Sequence, residues 1–213
     1  MSAVPPSRSP VAAILLAAGA STRLGTPKQL LHDEAGVPLV ARAASQLLAA
    51  GCWPVIVVTG AEYGPVSDAL AGLAVTVVHN ARHQEGMGSS IRSGVWALEG
   101  VAGGSGGVLI ATCDMPQLDV EHYCELIGTS GKGAIRTGTA YVTEDCADTA
   151  SILIGVPAVF PFSDVVALGN LAGDRGARGM LSEPGTQSIR SVRCMFDLDT
   201  PSDVAAWRAM MVH

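Results

Sequence analysis

The chain has 213 residues, 48% of them hydrophobic but only 4% aromatic, and 13 basic against 19 acidic side chains give a net charge of −6. That length suits one domain with a buried core of Ala, Val, Leu and Ile, and the acidic balance argues against a nucleic-acid binder, which needs a basic patch or stripe. No apolar run is long enough to span a membrane, and five scattered cysteines without a CxxC pair (Cys52, Cys113, Cys124, Cys146, Cys194) point to reduced thiols in a cytoplasmic protein.

Residues 1–10 are rich in Pro and Ser and read as a flexible leader to a domain over residues 11–213. Arg8, the apolar stretch from Val11 and the triplet Ala18-Gly19-Ala20 also mimic a secretory signal, against which the Pro-rich leader and the following cations stand. Val11 to Leu16 is a short apolar run that predicts a buried parallel strand. The side chains then shrink through Ala17, Ala18, Gly19, Ala20 and Ser21, and a loop of small residues lets a ligand approach its backbone N–H groups. Arg23 and Lys28 follow, with Gly25 and Pro27 setting the turn between them. A small loop with spaced cations is the chemistry of a polyphosphate cradle. It is neither a Walker A loop, since Thr26 follows Gly25 where Lys is required, nor a dinucleotide fingerprint, since Ala20 and Ser21 follow Gly19.

After a polar turn at His32 to Gly36, Pro38 opens a predicted helix with Leu39, Val40, Ala43, Ala44, Leu47 and Leu48 at helical spacing. Trp53 to Thr59 is a second buried strand, and a helix over Pro65–Leu73 and a strand over Ala74–His79 follow. This alternation implies right-handed crossovers and a mostly parallel sheet, with ligands beyond the carboxyl ends of the strands. The stretch Gly86-Met87-Gly88-Ser89-Ser90 precedes a helix with Ile91, Val95 and Leu98 buried. Such a start offers free donors to a ribose or phosphate, or Ser89 or Ser90 simply caps the helix.

Gly103 to Gly107 reads as a flexible link, and the strand over Gly107–Thr112 ends in Cys113-Asp114-Met115-Pro116. An acid there suits a metal ligand, or a residue capping the next turn; Cys113 and Met115 read as packing. Asp119 is expected to cap a helix running to Ile127, with His122 on its surface. Gly133 to Ile154 predicts paired, antiparallel strands carrying the acidic residues Glu144, Asp145 and Asp148. In Leu171 to Leu181, Gly173 and Gly176 allow a tight turn. Arg175 and Arg178 there either grip an anion or pair with Asp174. Thr200, Pro201 and Asp203 form a capping box for the last helix. Asp197 and Asp199 alternate at a strand end, so at most one is expected to face the same metal as Asp114.

Residues 16–31, LAAGASTRLGTPKQLL, resemble the opening motif LAAGxSxRMGxPKxLL of the MobA-like nucleotidyltransferases, with Leu24 where Met is usual. GMGSS at 86–90, DMPQL at 114–118, GVPAVF at 155–160, GDRGAR at 173–178 and DLDTPSD at 197–203 match further elements of that family, so the resemblance spans most of the chain. It implies a single Rossmann-like α/β domain of the nucleotide-diphospho-sugar transferase type, with a mostly parallel sheet and helices on both faces. The branch most similar is that of the molybdenum cofactor cytidylyltransferases. That branch implies transfer of CMP from CTP to the terminal phosphate of molybdopterin, pyrophosphate release, and a molybdoenzyme that receives the product.

By the same resemblance Leu16, Ala17, Ala18 and Gly19 form the nucleotide loop, and Arg23 and Lys28 hold its phosphates. Mg2+ binds Asp114 and Asp199; Gly88 and Ser89 hold base or ribose; Arg175 or Arg178 takes the acceptor phosphate. Arg23, Lys28 and Asp114 are the expected catalytic residues. Guanylyl-transferring relatives tend to carry glycine where Ala18 stands, which implies CTP over GTP. The acidic insert has no counterpart in the family and leaves the acceptor open. The Pro27-Lys28-Gln29 triplet also resembles the methylerythritol-phosphate cytidylyltransferases, a branch that GMGSS and GDRGAR oppose. Two other classes stand beside these: a divergent NAD(P)-dependent oxidoreductase acting on an aromatic substrate, and a binding or regulatory domain.

Overall fold

The computed structural model describes residues 10–99, 106–130, 135–143, 151–190 and 197–211. The leader, most of the glycine link, Cys146, Cys194, Glu144, Asp145 and Asp148 lie outside the described residues. The first strand, β1 (Ala12–Ala17), is buried along its whole length. It can be so because its apolar run has two inward faces: Ala13, Leu15 and Ala17 join one core and Ala12, Ile14 and Leu16 the other. Strands β2 (Val55–Thr59) and β4 (Val108–Thr112) flank it in parallel, with Leu16 level with Val58 and Thr112. The strand β3 (Thr76–His79) extends the sheet beyond β2.

On the other side, β4 pairs antiparallel with β6 (Ser151–Phe160), which pairs antiparallel with β5 (Thr137–Thr143). The last strand, β7 (Gln187–Arg190), lies parallel to β5, giving the order β3-β2-β1-β4-β6-β5-β7. The expected antiparallel pair is therefore present, but its second strand runs on to Phe160. Gly155 to Phe160 is part of the sheet, with Ala158, Val159 and Phe160 hydrogen-bonded to β4.

Helices cover both faces, as the alternation predicts. α1 (Leu39–Ala49), α2 (Tyr63–Ala69) and α4 (Val120–Thr129) bury Val40, Leu47, Val66, Tyr123 and Leu126 on one face. α3 (Met87–Glu99) and the short α5 (Val165–Leu168) and α6 (Arg178–Leu181) bury Ile91, Val95, Leu168, Met180 and Leu181 on the other. The final helix, α7 (Pro201–Met211), packs Val204 and Trp207 with Leu39 and Leu198 in a small third core against Leu24 and Leu31. Its expected capping box is formed: Asp203 Oδ2 accepts from Thr200 N at 2.7 Å and Asp203 N donates to Thr200 Oγ1 at 3.3 Å. No helix among the described residues is long and apolar enough to cross a membrane.

Strand order reverses across β1 and β4, so the loops leaving their carboxyl ends splay apart into a crevice. Those loops begin at Ala18 and Cys113.

Asp119 caps α4 as expected, accepting from His122 N at 3.1 Å. His122 itself departs from expectation: it is 6% exposed. Thr139 Oγ1 donates its one proton to Pro157 O at 2.7 Å, so it accepts from His122 Nε2–H at 2.8 Å, which suits the neutral ring. Loss of solvation holds this imidazole below its usual pKa, against the opposing charges of Glu125 and Asp119. Because the folded protein disfavours the protonated ring, its contribution is complete above about pH 6.5, the unfolded value, and fades as pH falls below it. The expected result is that urea unfolding of the wild type weakens between pH 7 and pH 5 more than that of His122→Gln. Identical pH dependence in the two proteins would contradict a buried neutral imidazole.

Candidate active site

The loop after β1 is fastened from beneath. Gln29, 1% exposed, donates from Nε2 to Ala17 O at 3.1 Å and to Gly19 O at 2.5 Å. Ser21, in a left-handed conformation at φ 50°, accepts from Lys28 N on its hydroxyl at 3.1 Å. Its carbonyl accepts from Leu24 N and Gly25 N at 3.1 and 3.0 Å, and Gly25 supplies the second positive φ, 76°, that closes the turn. Leu16, Ala17 and Ala18 are buried, and Gly19 and Ala20 are the first exposed residues of the loop. The sequence alone does not point to this role for Gln29. Its signal there is a polar residue inside the run between Pro27 and Leu31.

Asp114 is placed by α1. Arg42 donates from Nη2 to Pro116 O at 3.1 Å and Gln46 from Nε2 to Leu118 O at 3.0 Å, clamping the turn that follows the acid. Lys28 Nζ then lies 2.5 Å from Asp114 Oδ2 and 2.9 Å from Asp199 Oδ1, and Arg23 Nη2 lies 3.2 Å from Asp199 Oδ2. The structure thus joins Arg23, Lys28, Asp114 and Asp199 in one cluster. Burial alone would lower the Lys28 pKa. The charge of Asp114 and the hydrogen bonds to both acids outweigh it and hold the ammonium above the usual lysine range.

Asp197 and Asp199 do not alternate on a strand here, but only Asp199 joins Lys28 and Asp114. Asp199 N bonds back to Asp197 O at 3.1 Å, and Leu198 N donates to Asp114 O at 3.0 Å while its side chain is buried. Asp199 meets Arg23 and Lys28, while Asp197 lines the neighbouring cleft. Asp197 is pushed up to about 6, first by loss of solvation and then by the negative charge of Asp114. Burial pushes the Cys113 thiol up to about 12, which leaves it a packing residue, as read.

The cluster fits a hard divalent cation. Two carboxylates converge on one point, and Asp114 Oδ1 is buried without a hydrogen-bond partner. Among the described residues no group of three or more His, Cys, Asp or Glu is arranged to hold a metal, so remaining ligands would come from water and substrate phosphates.

Beside the cluster opens a cleft of about 760 Å³, lined by Met87, Met115, Tyr141, Val156, Arg175 and Arg178 among others. Among the described residues neither arginine is held in an ion pair, so the alternative pairing with Asp174 is not made. Ser89 is 1% exposed, and its hydroxyl serves the turn: it accepts from Asn80 Nδ2 at 2.8 Å and bonds Gly86 O at 2.8 Å and Arg82 O at 2.9 Å. Gly88 N donates to Gly173 O at 2.9 Å, and a Cβ on Gly88 would stand 2.8 Å from the Ala172 backbone. The two glycine-rich turns therefore pack directly on each other, and of this motif Met87 reaches the cleft.

Residues 13–189 match the family model of the MobA-like NTP transferase domain. Nicotine blue oxidoreductase from Paenarthrobacter nicotinovorans is 32% identical over 174 residues, 81% of this chain and 82% of its own length. The bifunctional protein GlmU from Anaeromyxobacter dehalogenans is 35% identical over 133 residues, 62% of this chain but only 27% of GlmU, so the chain spans about a quarter of that relative. The structure of Rv0371c from Mycobacterium tuberculosis H37Rv has a TM-score of 0.73 at 26% identity, covering 96% of this chain and 100% of that one. The same protein solved as a complex with manganese has a TM-score of 0.70 at 25% identity, covering 96% and 99%.

Gln29→Leu removes the donor to Ala17 O and Gly19 O while keeping an apolar shape. Leaving those carbonyls unpaired costs about 1–3 kcal/mol. Urea unfolding should show that loss, and amide exchange should rise in residues 18–28 with β1 still protected. Unchanged exchange in the loop would contradict the clamp.

Proposed function

The chain belongs to the MobA-like NTP transferase domain family, and we propose that it transfers CMP from CTP to a phosphorylated acceptor of the molybdopterin type, releasing pyrophosphate. The observation that carries this reading is the joining of two cations and two acids at the carboxyl ends of β1 and β4, beside a cleft with two arginines that have no ion-pair partner among the described residues. An oxygen of the acceptor phosphate attacks the α-phosphorus as the bond from that phosphorus to the bridging oxygen breaks, and pyrophosphate carries the electron pair away. No protein nucleophile is needed, and the chain's work is positioning and charge neutralisation.

Gly19 and Ala20 offer backbone N–H groups to the polyphosphate, and Arg23 and Lys28 stabilise the charge that grows on the departing pyrophosphate. Arg175 and Arg178 hold the acceptor phosphate, where guanidinium forks match its oxygens. A divalent cation, Mg2+, on Asp114 and Asp199 would supply further neutralisation of the phosphate oxygens. The M. tuberculosis relative solved as a complex with manganese supports dependence on a divalent ion. With the Ser89 hydroxyl spent on its own turn and Gly88 N bonded to Gly173 O, neither residue is free for base or ribose as the sequence implied, and Met87 is the residue of this motif at the cleft. Ala18, 6% exposed, lies at the base of the loop. Preference for CTP over GTP through that one methyl is about 10–200-fold at most. A molybdoenzyme would take the product.

A second reading rests on the likeness to nicotine blue oxidoreductase, which extends over most of both chains: reduction of an aromatic substrate by a nicotinamide cofactor in the same cleft.

Pyrophosphate release measured with each NTP, with and without a molybdopterin-type acceptor, separates the two. CTP with Mg2+ and acceptor should give turnover, GTP less. Asp114→Asn should lower turnover by at least about a hundredfold, and Lys28→Ala by about tenfold to a thousandfold. NAD(P)H consumption with an aromatic acceptor and no pyrophosphate would replace the transferase reading by the second.

Arg175→Ala and Arg178→Ala test the acceptor side. Each should raise the KM for the acceptor several-fold and leave the KM for CTP within about twofold. A change confined to CTP would move these arginines to the nucleotide.

A further inference from the structure

The way Asp114 and Asp199 are held together also sets what a metal must do to enter. Both carboxylates meet a single atom, Lys28 Nζ, at 2.5 and 2.9 Å. The second oxygen of Asp199 is taken by Arg23 at 3.2 Å. Of the four carboxylate oxygens only Asp114 Oδ1 has no partner, and it is buried. A cation bound by both carboxylates would stand where the ammonium now stands, and two cations cannot share that point.

We infer that Lys28 is the placeholder of the metal site: in the ligand-free protein its ammonium takes the divalent cation's position, keeps two like charges together, and leaves before the cation binds. The lysine stem is flexible and its side chain is 17% exposed, so the head has a way out toward the crevice. Once displaced, the ammonium needs another anion, and the polyphosphate of the nucleotide supplies it. Cation and nucleotide therefore bind together better than either does alone, and each raises the affinity of the other by the same factor. The metal is admitted with its substrate instead of being held permanently.

This inference rests on Asp114 and Asp199 being the metal's ligands, and the test separates the two statements. Protein stripped with EDTA is titrated with Mn2+ alone, bound ion being read by loss of the free-ion EPR signal and by the shift in Tm. The wild type should bind weakly. Lys28→Met and Lys28→Gln should bind Mn2+ at least about tenfold more tightly, melt below the wild type in EDTA, and gain more in Tm on adding Mn2+. Asp114→Asn should lose binding. If Asp114→Asn loses binding while both Lys28 variants bind no better than the wild type, the placeholder role is wrong and the ligand assignment stands. If Asp114→Asn binds like the wild type, the ligand assignment fails and takes the placeholder with it. Should neither Lys28 variant fold in EDTA, recovery of a cooperative melting transition on adding Mn2+ supports the inference, and no recovery overturns it.

Discussion

The ammonium of Lys28 between Asp114 and Asp199 is the interaction on which the site depends. It joins residues 86 and 171 positions apart along the chain, so it exists only once the sheet has formed. Its two halves differ in weight. Lys28 and Asp114 keep only 17% and 12% of their side chains exposed, so removing one partner strands a buried charge, at a cost of about 3–5 kcal/mol. Asp199 and Arg23 keep 35% and 74%, and water screens that outer pair. The inner contact carries most of the weight in the metal-free site, and the outer one little.

The apolar structure serves this contact. β1 and β4 are neighbours because both are buried on two faces, and that adjacency brings the loops after Ala17 and Thr112 to one crevice. The third core does the same for the last acid: Leu198, at 0% exposure, is fixed by Leu39, Val204 and Trp207, with Asp197 and Asp199 on either side of it. Burying one leucine contributes about 2 kcal/mol, and here the contribution aims two carboxylates.

The acceptor side is built differently. Its wall comes from β5, β6 and the turn at 173–178, and that turn is seated on Gly86 and Gly88 with Met87 between the two. The turn expected to touch the nucleotide and the turn carrying Arg175 and Arg178 are thus one packed unit. Relatives with different named activities share this scaffold, as expected where chemistry resides in the side chains around a cleft.

The sequence by itself determined the strands and helices that are apolar at a regular period, because burial on one or two faces dictates that period. It pointed to the small-residue loop, the helix cap at Asp119, the capping box at Thr200, and the cations and acids that the fold brings together, since those residue types in that order have few other uses. Only the tertiary structure decided what each polar group faces. His122 reads as a surface residue because its partner, Thr139, lies on a strand that the helix pattern does not foresee. Ser89 reads as a ligand donor because Asn80, Arg82 and Gly86 have not yet claimed its hydroxyl. Asp197 and Asp199 read as alternating on a strand, whereas the bond from Asp199 N to Asp197 O turns the backbone there, with Asp199 at Lys28 and Asp197 in the wall of the cleft. The physical reason is the same in each case: hydrophobic periodicity is a local property of the chain, while the partner of a buried hydrogen bond or charge is supplied by a residue distant in sequence.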